Sequence, residues 1–252
     1  MLDMDYVSFG NGNKNLCILP GVTLKRILPA ANSVKTQYKK LLNDFTVYVF
    51  ERKNNMQSDY SVEEMACDTV KKMRELGIEK TSLFGVSQGG MISQIIAAEH
   101  PELTEKLVVC SSLAKTNDTI NSCVNKWIAL AEEKNYRSLA RDMIEKLYSE
   151  QFVKKCGKVL VDFFSGTSDE DAERFVTQCK ACKNYNSYGL LEQIKCPSFV
   201  LGAKFDKVLG SSGSVELAET LGCEMYLYDM PYGHACYDEA PDFCDRLLEF
   251  LK

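Results

Sequence analysis

The sequence predicts an α/β protein with a mostly parallel sheet of about eight strands, helices on both faces of the sheet, and an all-helical insertion. Three observations lead to this fold class. Short apolar runs alternate with helical patterns, which is the arrangement of a parallel sheet covered by helices. The alternation stops between about residues 113 and 195, where only helical patterns occur. The 252 residues suffice for one large core that carries such an insertion.

The N-terminal part of the chain contains the first strand patterns. Asp5 to Phe9 alternates in polarity, Gly10 to Asn13 has the composition of a turn, and Asn15 to Leu19 is apolar. These three segments together predict an opening hairpin. Further strands are predicted at Phe45–Phe50, Thr81–Val86 and Leu107–Cys110, and helices at Val34–Asn43, Val62–Leu76 and Gly89–Glu99. Ser61 and Glu64 form a capping-box pattern at the start of the second of these helices.

Residues 113–195 form the predicted helical cap, and residues 1–112 with 196–252 form the predicted α/β core. Helical periodicity in the cap centres on residues 123–133, 139–148, 152–164 and 170–183. The last strands are predicted at Pro197–Gly202 and Glu224–Tyr228, and the last helices near Ser214–Leu221 and Asp242–Leu251. Ligands of such sheets bind at the carboxyl ends of the strands, so we expect the functional residues there.

Composition and charge narrow the classes of function. Hydrophobic residues make up 45% of the chain and charged residues 26%, which is typical of a soluble globular protein. A net charge of −5 without a cluster of Lys and Arg argues against nucleic acid as a partner. The apolar runs are too short to cross a membrane, so no membrane partner is expected. Because Met1 to Asp5 lacks the pattern of a secretory signal, we expect a cytoplasmic protein.

The chain contains eleven cysteines, which is an odd number, and they are scattered along the sequence. We therefore expect reduced cysteines rather than a disulfide framework. Only Cys179 and Cys182 have the spacing of metal ligands, and they lack a second pair or a nearby histidine. Cys236 follows a loop histidine by two residues and is interpreted as a small buried side chain. No metal and no cofactor is predicted.

The clearest chemical motif is Gly85 to Gly89, which spells Gly-Val-Ser-Gln-Gly between a predicted strand and a predicted helix. In such an elbow the serine has a strained backbone that exposes its hydroxyl, and its neighbours two residues away must be small. Gly85 and Gly89 meet this requirement. The motif predicts Ser87 as a nucleophile, with the backbone N–H of Gln88 as one donor to an oxyanion.

A serine nucleophile needs a base, and the chain contains only two histidines. His100 ends the helix that follows Ser87, so it should lie far from the serine hydroxyl. His234 lies in a loop just after the last predicted strand, where catalytic groups are commonly displayed. By elimination, His234 is the predicted base.

A third residue must orient the imidazole and stabilise its protonated form. Asp206 is the preferred candidate, because it follows the strand before the last one and would share a sheet edge with His234. Asp229 and Asp238 are the alternatives. Asp229 lies only five positions before His234, and Asp238 lies in the turn before the final helix.

Pro20 to Thr23 is a glycine-containing segment directly after an early buried strand. A second oxyanion donor would come from such a loop, and the N–H of Val22 is the candidate. A plain turn explains this segment equally well on its own.

These motifs resemble those of the α/β-hydrolase fold family, in its small serine-hydrolase form with a helical cap, and the likeness covers essentially the whole chain. It rests on the elbow, on the Gly-Ala-Lys-Phe-Asp loop of Gly202 to Asp206, on the ending Gly233 to Pro241, and on the order Ser, Asp, His. Two segments depart from the family pattern. Pro20 stands where many relatives have His, and Glu51 to Ser58 replaces Asp-Arg-x-Gly-x-Gly-x-Ser.

The resemblance implies a serine hydrolase that cleaves a small carboxylic ester through an acyl-enzyme, with a small-molecule acyl compound as substrate. The same scaffold supports thioesterases, C–C bond hydrolases, lyases, cofactor-free haloperoxidases and amide hydrolases. A catalytically silent binding protein is the alternative from another class, although it would need none of the three residues. A homodimer is compatible with the sequence. Aromatic residues of the cap either line a substrate pocket or pack within the cap; they are Trp127, Tyr148, Phe152, Phe163 and Phe164.

Overall fold

The computed structural model describes residues 2–229 and 231–252. Met1, the first residue of the N-terminal segment, and Met230, at the start of the loop that carries His234, lie outside the described residues. The strands are Tyr6–Phe9 (β1), Lys14–Leu19 (β2), Phe45–Phe50 (β3), Thr81–Val86 (β4), Thr104–Cys110 (β5), Ser198–Ala203 (β6) and Glu224–Tyr228 (β7). They form one sheet in the order β1-β3-β2-β4-β5-β6-β7, in which only β1 is antiparallel to its neighbour.

Helices occupy both faces of this sheet and the segment between β5 and β6. They are Ala31–Gln37 (α1), Val62–Glu75 (α2), Gln88–Glu99 (α3), Asp118–Glu132 (α4), Tyr136–Leu147 (α5), Glu150–Phe152 (α6), Lys158–Ser165 (α7), Asp169–Ala181 (α8), Tyr188–Leu191 (α9), Ser211–Leu221 (α10), Cys236–Glu239 (α11) and Phe243–Leu251 (α12). Single 3₁₀ turns lie at Leu28–Ala30, Lys39–Leu41 and Cys182–Asn184, and a π turn lies at Val153–Gly157. The α/β class and the mostly parallel sheet predicted from the sequence are thus confirmed.

The sheet differs from the prediction at its N-terminal edge. The predicted hairpin of β1 and β2 is wrong, because β3 lies between them and pairs with both. Gly10 and Gly12 connect β1 to β2 around the chain at Asp44 and Phe45, and a Cβ on Gly12 would lie 2.0 Å from the Asp44 carbonyl carbon. The glycines therefore permit a close backbone approach rather than a hairpin turn. Within the described residues the sheet has seven strands, one fewer than the eight expected.

Burial explains why the second halves of the central strands, Leu16–Leu19, Leu83–Val86 and Leu107–Cys110, are apolar. All six residues of β4 are buried, as expected for a strand covered on both faces. In β2 the side chains alternate between two cores: Leu16 and Ile18 belong to one face of the sheet, and Cys17 and Leu19 belong to the other. The sheet therefore fixes the loops at its carboxyl edge on a rigid base.

The segment between β5 and β6 is helical, and its two ends run side by side. Ser187 N donates to Ala114 O (2.8 Å), Thr116 N donates to Tyr185 O (3.0 Å), and Lys115 forms a bridge with Asn186. We call residues 114–116 and 185–187 the neck of the cap. The helices beyond it contact loops at the carboxyl edge of the sheet, for example where Ala235 N donates to Leu147 O (2.8 Å).

Two further features concern the whole described chain. Within residues 2–229 and 231–252, none of the helices has the length and apolarity that crossing a membrane requires. All eleven cysteines fall in these ranges and each is a free thiol.

Candidate active site

Ser87 lies in the turn between β4 and α3 with a backbone φ of 53° and ψ of −118°. A positive φ is strained for a residue with a Cβ and costs about 1–3 kcal/mol, so surrounding contacts must hold it. Ser87 N donates to Cys110 O (2.9 Å), and Ser87 O accepts from Gly90 N (2.9 Å) and from Ser112 Oγ (2.8 Å). Ser87 as a whole residue is half-buried at the end of the strand.

The glycines around Ser87 leave space for the backbone. A Cβ on Gly85 would lie 2.3 Å from Gly89 O, and one on Gly89 would lie 1.8 Å from Leu19 O, so neither position admits a side chain without movement of the chain. Gly21 passes directly against the serine: a Cβ there would lie 3.6 Å from Ser87 Oγ. The loop after β2 therefore borders the serine hydroxyl.

His234 and Asp206 are in direct contact. His234 Nδ1 lies 2.7 Å from Asp206 Oδ2, and both side chains are buried. The other carboxylate oxygen, Asp206 Oδ1, accepts from Val208 N (2.7 Å) and Leu209 N (2.9 Å). This contact assigns the proton to Nδ1 and leaves Nε2 as the nitrogen that can accept one.

Two consecutive serines after β5 hold the turn of Ser87 and the loop of His234. Ser111 Oγ donates to His234 O (2.7 Å), and Ser112 Oγ donates to Ser87 O (2.8 Å). Within the described chain the Ser87 hydroxyl has no hydrogen-bond partner. The structure thus joins His234 directly to Asp206, and it joins His234 to Ser87 only through these backbone anchors.

The other candidates from the sequence lie elsewhere. His100 Nδ1 lies 3.3 Å from Glu102, at the far end of α3 from Ser87. Asp229 pairs with Lys204 (3.6 Å), and the contacts of Asp238 are with Gln37 and Tyr148.

Cys236 packs as a buried thiol 3.8 Å from Cys110 Sγ, in keeping with its interpretation as a small buried side chain. Cys179 and Cys182 are buried as well, and burial raises the pKa of the Cys182 thiol to about 12.

The two oxyanion donors predicted from the sequence are the backbone N–H groups of Gln88 and Val22. Gln88 is the first residue of α3, so its N–H has no partner within the helix. Val22 follows Gly21, which contacts Ser87. Thr23 N already donates to Gln178 Oε1 (3.2 Å), whereas Val22 N has no acceptor among the described residues. Both N–H groups are therefore available at this edge of the sheet.

A buried arginine that sequence reasoning missed holds this region together. Arg52 Nη2 donates to Pro20 O (2.7 Å) and to Gln88 Oε1 (3.2 Å). Gln88 Nε2 in turn donates to Gln178 O (2.7 Å), and Gln178 bonds both N and O of Thr23 (3.2 Å each). Burial lowers the pKa of Arg52 to about 10, which still leaves it cationic at neutral pH.

We call Arg52, Gln88 and Gln178 the loop clamp. A sequence signal existed, since Glu51 and Arg52 follow a strand where relatives have Asp-Arg.

A cavity of about 860 Å³ adjoins Gly21 and Val86, next to the serine. Three of the aromatic cap residues line it, namely Tyr148, Phe163 and Phe164. The other two pack within the cap: Trp127 Nε1 donates to Asp142 Oδ2 (2.8 Å), and Phe152 stacks on Tyr148 with ring centroids 4.3 Å apart. The cavity is of the size that binds small molecules.

Comparison with known proteins gives matches over most of the chain. The profile of the α/β hydrolase fold family matches residues 32–241. A protein of Caulobacter sp. (strain K31) with the provisional name carbamate hydrolase RutD is 26% identical over 228 residues, which cover 86% of this chain and 84% of that protein. The human serine hydrolase BPHL is 25% identical over 217 residues, which cover 82% of this chain and 68% of that protein.

Solved structures agree in fold. MGS-M2, an α/β hydrolase enzyme from a Medee basin deep-sea metagenome library, superposes with a TM-score of 0.87 at 20% identity, over 99% of this chain and 94% of that chain. The enol-lactonase of Burkholderia xenovorans LB400 superposes with a TM-score of 0.84 at 19% identity, over 98% of this chain and 96% of that chain. At these identities the likeness is one of fold.

Proposed function

Because the chain belongs to the α/β-hydrolase fold family, we propose that it is a serine hydrolase that cleaves a small carboxylic ester through Ser87, His234 and Asp206. One observation carries the proposal. A serine strained to positive φ at a helix N-terminus and a buried His–Asp pair with a 2.7 Å contact are anchored by two adjacent serine hydroxyls. This supports a nucleophile and its base acting at one point of the sheet edge.

In the proposed mechanism, His234 Nε2 accepts the proton of Ser87 as the hydroxyl attacks the ester carbonyl. The N–H groups of Gln88 and Val22 donate to the oxyanion that forms. Asp206 stabilises the imidazolium, which then protonates the leaving alcohol. Water, activated by His234, hydrolyses the acyl-enzyme. The Ser87 hydroxyl lacks a hydrogen-bond partner in the described chain. The hydrogen bond between a nucleophile and its base commonly forms or shortens only once substrate is bound.

The names of the relatives support the class of reaction but not the substrate. A carbamate hydrolase and an enol-lactonase both transfer an acyl group to water. A thioesterase, an amide hydrolase or a C–C bond hydrolase would use the same three residues, so the bond that is cleaved is the open part of the proposal. A silent binding protein would need neither the strain at Ser87 nor the buried Asp206 and His234 pair.

The direct test is the Ser87→Ala variant. We expect turnover of a short p-nitrophenyl ester to fall by at least about a thousandfold, because members of such a triad act as a unit. The wild-type protein should also form an adduct with a fluorophosphonate, located at Ser87 by mass spectrometry. Ser212→Ala, an exposed serine on α10, is the matched control and should label and turn over like the wild type. Turnover by Ser87→Ala within a few-fold of wild type would refute the assignment.

A further inference from the structure

One end of the cavity beside Ser87 carries a carboxylate. Asp238 is among the residues that line the cavity, and it is an exposed residue. Its Oδ1 accepts from Gln37 Nε2 (2.8 Å), and its Oδ2 accepts from Tyr148 OH (2.9 Å). A carboxylate has about four acceptor positions, so these two bonds leave about half of its capacity open.

The negative charge of Asp238 is not balanced by the protein. Both of its donors are neutral groups, and among the described residues no cation forms an ion pair with it. The cations that line the cavity are engaged elsewhere: Lys25 Nζ lies 4.4 Å from the centroid of the Phe163 ring, and Arg26 bonds Asn54 and Glu170. Burial raises the pKa of Asp238, and Glu239 adds to the increase. A cation from outside would therefore gain energy here.

Three tyrosines line the cavity to which this carboxylate belongs. Tyr38, Tyr148 and Tyr237 line the same cavity. Burial raises the pKa of all three phenols, and in each case the charge of Asp238 contributes to the increase, which reflects how near they lie to it. Aromatic faces attract ammonium groups through their quadrupoles, and the attraction grows when water is excluded. A carboxylate among tyrosines has the chemistry of an ammonium site.

We propose that Asp238, with Tyr38, Tyr148 and Tyr237, binds an ammonium group of the substrate, so that the ester cleaved at Ser87 carries a protonated amine. That the substrate is an ester rests on the proposed function. That it carries an amine rests on the residues that line the cavity. The competing explanation is that Asp238 is only structural: it would join the cap to α1 by bonding Tyr148 of the cap and Gln37 of α1.

The test compares two esters of equal chain length, p-nitrophenyl 6-aminohexanoate and p-nitrophenyl heptanoate. The wild type should prefer the ammonium ester at least about tenfold in kcat/KM, the effect of one charge-assisted hydrogen bond. Asp238→Asn should lower this ratio about tenfold. Asp245→Asn is the matched control, because it removes an exposed carboxylate of α12 that pairs with Lys40. It should keep the wild-type ratio.

A binding measurement separates this proposal from the esterase proposal. Hexylammonium should bind the wild-type protein more tightly than 1-hexanol, by calorimetry, and the difference should vanish in Asp238→Asn. If both esters are cleaved at a ratio near one and hexylammonium does not bind, the ammonium site is refuted while the hydrolase stands. If neither ester is cleaved but hexylammonium binds through Asp238, the ammonium site stands and the esterase fails. A ratio that does not change in Asp238→Asn leaves Asp238 with only its cap-to-core role and refutes the proposal.

Discussion

Among single residues, Arg52 has the most unusual environment. It is 3% exposed, its Nε has no partner among the described residues, and the two hydrogen bonds of its Nη2 go to Pro20 O and Gln88 Oε1. No carboxylate among the described residues forms an ion pair with Arg52, and the charge of the buried Glu51 offsets only part of the cost of burying the guanidinium. We infer that Arg52 is a positioning residue: it holds the carbonyl of Pro20, and with it the N–H of Val22.

This role predicts that replacing Arg52 lowers kcat even in the protein that remains folded. Arg52→Met should lower kcat about 10- to 100-fold at nearly constant KM, because a misplaced oxyanion donor weakens only the transition state. Arg52→Lys should restore part of kcat, since an ammonium can donate to Pro20 O. Kinetics on the folded fraction, with thermal unfolding in parallel, provide the measurement.

The matched control for Arg52 is Arg137→Met, which removes an exposed ion pair with Asp162 (3.0 Å) and should change stability by less than about 1 kcal/mol. If Arg52→Met only lowers the unfolding temperature and its folded fraction keeps the wild-type kcat, Arg52 is structural and the loop clamp does not act on the oxyanion donor.

At the scale of elements, the short helix α11 links the histidine loop to the cap. Glu239, its last residue, accepts from Ser149 N (3.0 Å) and Ser149 Oγ (2.5 Å). Ser149 in turn caps α6 through Phe152 N (3.2 Å). One carboxylate thus joins the start of a cap helix to the segment that follows His234.

Glu239→Ala should lower the free energy of unfolding by about 1–3 kcal/mol, because it leaves two partly buried donors of Ser149 without an acceptor. Urea unfolding followed by circular dichroism measures the change. Glu249→Ala, an exposed residue of α12, provides the comparison and should be nearly neutral. Equal stability of the two variants would show that solvent replaces the Glu239 contacts.

The elements also show what the sequence could and could not predict. The bounds predicted for β3, β4 and β7 agree with the structure, because each is a continuous β-rich run between polar or glycine-containing segments. The pairing of β1 with β3 was missed, since it joins segments about forty residues apart that no local turn pattern encodes. The contact of His234 with Asp206 follows from chain order and sheet edges. The loop clamp does not, because it depends on how the loop after β3 meets two helices, α3 and α8, that are far apart in sequence.

At the scale of the whole molecule, burial controls the chemistry of the cysteines. Cys67 is exposed, and burial raises the pKa of Cys123 to about 11 and of Cys17 to about 12. A thiol with a raised pKa in a closed core reacts only after the chain opens. Six cysteines are buried: Cys17, Cys110, Cys123, Cys179, Cys182 and Cys236.

We therefore expect a thiol reagent such as 5,5′-dithiobis(2-nitrobenzoate) to label Cys67 quickly in the native protein and the six buried cysteines only on unfolding. Absorbance gives the phases, and peptide mapping assigns them, including the four half-buried cysteines Cys156, Cys196, Cys223 and Cys244, which should react more slowly than Cys67. Cys67→Ser should remove one thiol from the fastest phase and leave the six thiols that react on unfolding unchanged. Fast labelling of Cys236 in the native state would contradict the packing described around His234.

The neck of the cap has a consequence for how such a chain can diversify. The two ends of the helical segment meet within hydrogen-bonding distance at residues 114–116 and 185–187. An inserted unit whose entry and exit coincide can be lengthened, trimmed or exchanged as a cassette while β5 and β6 keep their register. Selection for a new substrate can therefore act on the cassette, as long as its contacts with the sheet edge are kept, namely Gln88 Nε2 to Gln178 O and Ala235 N to Leu147 O.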